Sequence, residues 1–96
     1  MQPQAGGRVV LELEETGAEI VYAAALYTPD AIHTGRARIA ADDGAIRWDE
    51  WAPATPPAWL VEMAHAFLRS EWRARRPGLE DPEPWPRRIN RWREAK

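Results

Sequence analysis

This sequence predicts an α+β fold: a four-stranded antiparallel meander, one long helix packed across one face, and a short helical or extended segment at the C-terminus. Three observations carry that expectation. Apolar and polar side chains alternate through the first half of the chain, as they do along half-buried strands. Turn-forming residues interrupt the alternation at three places. From Trp59 onward the apolar spacing changes to threes and fours, the period of a helix.

The run Val9-Val10-Leu11-Glu12-Leu13-Glu14 reads as the first strand, and Thr16-Gly17 as a tight hairpin loop. That loop sets Leu13 opposite Ile20, Leu11 opposite Tyr22 and Val9 opposite Ala24, all on one face because side chains alternate strictly. Ala18 to Tyr27 forms the second strand. Thr28-Pro29-Asp30-Ala31 is a four-residue connection, since proline cannot take the positive φ of a two-residue loop. The core face then continues with Leu26 opposite His33, Ala24 opposite Gly35, Tyr22 opposite Ala37 and Ile20 opposite Ile39. Asp43-Gly44 closes the third hairpin, pairing Ala41 with Ile46 and Ile39 with Trp48. All three registers place the same residues on the same face.

After Ala52-Pro53-Ala54, Thr55 is suited to cap a helix with Pro56 in its first position. Trp59, Leu60, Met63, Phe67 and Leu68 make its apolar stripe, and Pro77-Gly78 ends it. Ala24, Gly35 and Ala37 are small, which admits the bulky stripe to the sheet. The chain thus reads as one domain over 1–96, with the meander at 8–51 and the helix at 56–76. A Pro-rich loop and a Trp/Arg tail fill 77–96, where Trp85, Ile89 and Trp92 recur at helical spacing from Pro86 on.

Composition narrows the function classes. A core is feasible at 96 residues, and six tryptophans enlarge it. With no cysteine there is neither a disulfide framework nor a thiolate site. The first residues lack the basic-then-apolar pattern of a secretory signal, and no apolar run approaches membrane-spanning length. A cytoplasmic protein is the resulting expectation. Residues 1–50 carry nine acids against four arginines, net −5, whereas residues 51–96 carry six acids against nine basic groups, net +3.

No arrangement selects catalysis. Two histidines, His33 and His65, without cysteine do not make a zinc site. Glu50, facing Ala37, and Glu71, in the helix stripe, point inward; carboxylates so placed more often pair with arginine than perform acid–base chemistry. The only serine, Ser70, has no base near it in sequence. The expectation is a non-enzymatic protein with no catalytic residue, no metal and no cofactor.

The sheet face away from the helix is the candidate interaction surface: Val21, Ala23, Ala25, Tyr27, Ile32, Arg36, Arg38, Arg47 and Trp51, flanked by Val10, Glu12, Glu14, Glu19, Thr34 and Asp49. The register suggests an Arg38–Asp49 ion pair and an Arg36–Trp51 cation–π contact. This face is too apolar to be simply solvated. The tail residues Trp85, Arg87, Arg88, Ile89, Arg91 and Trp92 could fold over it, or a second copy could. Interleaved aromatics and arginines can also grip single-stranded nucleic acid. Over residues 8–76 the order of four strands and a helix is similar to that of Pur-type and Whirly single-stranded nucleic-acid binders, in topology alone. The functional expectation is a protein-interaction or self-associating module, a homodimer first. Nucleic acid is disfavoured by the acidic first half, and no membrane is implied.

Overall fold

The computed structural model describes residues 6–80 and 82–93. The start of the chain, 1–5, and the last tail residues, 94–96, lie outside the described residues. Strands β1 (Gly7–Glu15), β2 (Glu19–Tyr27), β3 (Ile32–Ala40) and β4 (Ile46–Trp48) precede helix α1 (Ala58–Arg73), and β5 (Arg88–Arg93) follows it. They form one antiparallel five-stranded sheet, in the order β4-β3-β2-β1-β5, with α1 packed on one face.

The β2–β3 register matches the expectation at every pair, from Tyr27↔Ile32 to Ile20↔Ile39. Thr28 and Ala31 close that turn, with Thr28 N–H donating to Ala31 O at 2.9 Å. The other two hairpins keep the expected faces but slide by two residues. In the first, Leu13 opposes Tyr22 and Leu11 opposes Ala24, with a bulge between Leu13 and Glu15. Bulges take one residue out of strict alternation, and here Glu14 gains the freedom to reach across the sheet. In the third, Ile39 opposes Ile46 and Ala37 opposes Trp48. The loop is four residues because Gly44, at φ +76°, donates its N–H to Ala40 O at 2.8 Å. Trp72 packs where a Gly44 side chain would stand, and its indole N–H donates to Ala41 O at 3.0 Å. That bond needs Ala41 in the loop rather than in the ladder.

The fourth strand is shorter than expected and carries a parity change. From Ala37↔Trp48 to the bridge Thr34↔Ala52, β3 advances three residues and its partner four. One extra residue reverses which face the following side chains take. Trp51 therefore lies on the helix side, in the space above Gly35, where an added Cβ would stand 2.6 Å from the indole. Its ring stacks on Trp48 with centroids 5.2 Å apart. Glu50, expected inward, is exposed.

The core joins Val9, Leu11, Ile20, Tyr22, Ala24, Leu26, Ala37 and Ile39 of the sheet to Leu60, Ala64 and Leu68 of α1. The buried stripe of α1 is thus centred on 60, 64 and 68. At about 100° per residue, Trp59 falls roughly 140° from the stripe's centre, and it is 38% exposed rather than buried. Met63 and Phe67 are half-buried on the flank. The helix also begins later than expected. Pro57 is its N-cap, with no side-chain cap bond from Thr55 or any other residue. A proline holds the residue before it out of the helical region, so Pro57 keeps Pro56 from starting the helix.

Of the two forms expected for the tail it takes the extended one, against its helical spacing. It runs antiparallel to β1, with Ile89 opposite Leu11 and Arg91 opposite Val9. Leu13 N–H donates to Arg87 O at 2.8 Å. Extended, the tail buries Ile89 to 3% exposure and pairs the edge of β1 that a helix would have left open. It widens the sheet and does not cover the open face.

Candidate interaction face

Strict alternation along β1, β2, β3 and β5 puts Arg8, Val10 and Glu12, then Val21, Ala23, Ala25 and Tyr27, then Ile32, Thr34, Arg36 and Arg38, and Arg88, Asn90 and Trp92 on the face opposite α1. Of the sequence-predicted surface, Val21, Ala23, Ala25, Tyr27, Ile32, Arg36, Arg38 and Arg47 are here, and Trp51 is not. Arg88 and Trp92 join them from the tail. Ile89 belongs to the core, and Trp85 packs on the helix side against Tyr22 with ring centroids 6.2 Å apart. The Arg91 guanidinium lies 5.8 Å from the Phe67 ring, also on the helix side. Arg87 is exposed and contributes its carbonyl to the ladder.

The floor is aliphatic, and ion pairs lie across it. Arg36 Nε donates to Glu14 Oε1 at 2.6 Å, joining β3 to β1 over β2. Small Ala23, the register partner of both Glu12 and Arg36, leaves room for that crossing. Arg38 donates to Asp49 at 3.0 Å and to Glu19 at 3.2 Å, and Arg47 reaches the other Glu19 oxygen at 2.9 Å. The expected Arg38–Asp49 pair exists, although the register partner of Arg38 is Arg47. The Arg36–Trp51 contact does not form, because Trp51 sits on the other face. Arg88 and Glu12 approach to 3.9 Å. These arms shield the aliphatic floor: Val10 is 6% and Val21 4% exposed although no element covers them.

Hydrogen bonds from Arg47 and then Arg38 hold the Glu19 carboxyl below its ordinary pKa, and Arg38 does the same for Asp49. Between Val10, Ala23, Ala25, Tyr27 and Thr34 the face dips into an open depression of ≈ 540 Å³. At the tail end, Arg8 lies between two rings, 5.5 Å from the centroid of Tyr27 and 5.5 Å from that of Trp92. Asn90 Oδ1 accepts from Arg8 Nε at 3.0 Å. Sequence reasoning missed this stack. Alternation extended one residue before Val9 puts Arg8 beside Val10, but only the extended tail brings Trp92 alongside it.

The groups weighed for chemistry are dispersed. His33 is buried, its Nδ1 2.7 Å from Ala54 O, and His65 lies on α1. Glu71 accepts from Arg75 Nη1 at 2.9 Å. Among the described residues no three His, Cys, Asp or Glu side chains gather as a metal site would require, and no helix is long and apolar enough to cross a membrane. No protein-family model, no curated protein and no solved structure matches this chain.

Proposed function

We propose that this protein is a non-enzymatic interaction module that associates with a second copy of itself through the open sheet face. One observation carries the reading: charges of both signs alternate over an aliphatic floor, four arginines (Arg36, Arg38, Arg47, Arg88) paired with four carboxylates (Glu12, Glu14, Glu19, Asp49), and Arg8 lies between two rings at the edge. A two-fold interface meets its own surface, so it needs complementarity with itself. Alternating charge supplies that, whereas a face of one sign would repel its copy. Size agrees. Five strands at about 4.8 Å spacing, with longer strands rising about 3.4 Å per residue, span on the order of 700 Å², near the roughly 800 Å² per partner of a standard interface.

The same arginines weaken the nucleic-acid alternative, because each already faces a carboxylate and would have to leave it to meet a phosphate. Light scattering tests the reading. The parent chain is expected at twice its monomer mass of 10.9 kDa, and Tyr27→Glu, which replaces an aromatic wall of the depression with a carboxylate, at the monomer mass. A parent that is monomeric at about 100 μM would refute self-association, and salt-sensitive binding of a single-stranded oligonucleotide by that monomer would install the alternative.

A further inference from the structure

On the opposite side of the molecule, α1 and β4 leave a second groove of ≈ 560 Å³, within the size range of small-molecule sites. Its floor is apolar: the Trp48 ring, Val61 and Ala66. Its head is cationic. Arg69 and Arg73 stand one helical turn apart with Ser70 beside them, and neither arginine has a carboxylate within ion-pair distance among the described residues. This sets them apart from Arg36, Arg38, Arg47 and Arg75, all of which are paired. Two like charges at this spacing repel each other on a helix, and an anion between them relieves that.

His65 fixes the head group further. Burial, and then the nearby Arg69, hold its imidazole below its ordinary pKa, so at neutral pH it is uncharged. A neutral ring can accept at Nε2, and Arg69 Nη2 lies 3.0 Å from it. That contact orients one edge of the Arg69 guanidinium and leaves the others for a ligand. Trp48 lines the same wall, and its shielded Nε1 has no acceptor among the described residues. Glu62 stands at the far end. From Glu62 to Arg73 the helix rises roughly 16 Å, at about 1.5 Å per residue.

We infer that this groove binds a free amphipathic monocarboxylate, with its carboxylate between Arg69 and Arg73 and its aliphatic or aryl body along Trp48, Val61 and Ala66. The polarity follows from the two ends, since Glu62 repels a second negative charge and Arg69 and Arg73 attract the first. The length follows from the helix, which accommodates a body of about eight carbons between those ends.

Isothermal titration calorimetry of the full chain with octanoate, octan-1-ol and octylammonium tests this. Octanoate is expected to bind, octanol about tenfold more weakly for want of charge-assisted hydrogen bonds, and octylammonium not at all. Arg73→Gln, an exposed and conservative change, should weaken octanoate about tenfold while leaving octanol unchanged, and Arg47→Gln on the other face should alter neither. Equal affinity for octanoate and octanol, octanoate binding insensitive to Arg73→Gln, or no octanoate binding at about 10 mM would each overturn the inference.

Discussion

Two residues whose roles were hidden in the sequence tie the chain's end to its core. Arg75 is 8% exposed at its side chain and donates to Glu71 Oε1 at 2.9 Å, to Glu83 O at 2.9 Å and to Pro84 O at 3.0 Å. Its guanidinium also lies 5.3 Å from the centroid of Trp85. One planar group thus clamps the Pro-rich loop to the end of α1. Lysine keeps the charge but cannot fork to three acceptors or lie flat on a ring. Arg75→Lys should therefore cost about 2–3 kcal/mol, nearly as much as Arg75→Met, read as a shift in urea midpoint. Tyr22 does similar work from the sheet. Its hydroxyl donates to Pro86 O at 2.6 Å, and burial, with Glu71 adding to it, pushes its pKa up from 10.0 to about 12. A folded pKa above the unfolded one stabilises fully below the unfolded value and is lost as pH rises through the folded value. Alkaline loss of stability is expected between pH 10.0 and about 12, and Tyr22→Phe should flatten that limb in pH-dependent melting. An unchanged limb would assign it to other groups.

At the scale of elements, legibility followed how locally each feature is determined. The β2–β3 hairpin was readable to the residue because Pro29 excludes the short loop and leaves one solution. The faces of β1 and β4 were readable because a slide of two residues preserves parity, so the sheet's share of the core list survived two register errors. The bulge before Trp51 was not readable, since it depends on Trp51 finding space above Gly35, a contact between elements. The tail misled for a related reason. Trp85, Ile89 and Trp92 have helical spacing and Arg88-Ile89-Asn90-Arg91-Trp92 does not alternate, so the free β1 edge, a partner the segment's own pattern does not reveal, is what extends it and sends Ile89 and Trp92 to opposite faces. It follows that Ile89 is a core residue. Ile89→Asn should cost about 2–4 kcal/mol and free the tail for proteolysis upstream of Trp92. Truncation after Gly78 should destabilise by exposing the edge of β1 and the side of Tyr22, without increasing dye binding on the open face. Strong dye binding lost with Tyr27→Glu would show instead that the tail shields that face.

At the scale of the whole molecule, the charge map separates into two regimes. The face opposite α1 pairs its charges except Arg8, which lies between two rings, whereas the exposed side of α1 carries Arg69 and Arg73 unpaired among the described residues. The candidate interaction face was legible as a list of residues, because alternation alone supplies it. Its charge pairing was not, because the pairing of Glu14 with Arg36 depends on a bulge. That pairing predicts how self-association responds to acid. Glu19 and Asp49 are held below their ordinary 4.5 and 3.8 by arginine hydrogen bonds. Carboxylates with depressed pKa values contribute fully above their ordinary values and lose the contribution as pH falls through the depressed ones. The dimer mass should therefore hold from pH 8 down through the ordinary values of both groups and decline only at more acid pH, where Glu19 and Asp49 take up protons and leave Arg38 and Arg47 unbalanced on both copies. Raising salt to about 1 M should weaken the dimer in part only, since ion pairs are screened while the aliphatic floor is not. Light scattering over this series decides the matter. Dissociation between pH 7 and 6 would implicate a histidine, and neither His33 nor His65 lies on this face, so that result would move the interface elsewhere on the molecule.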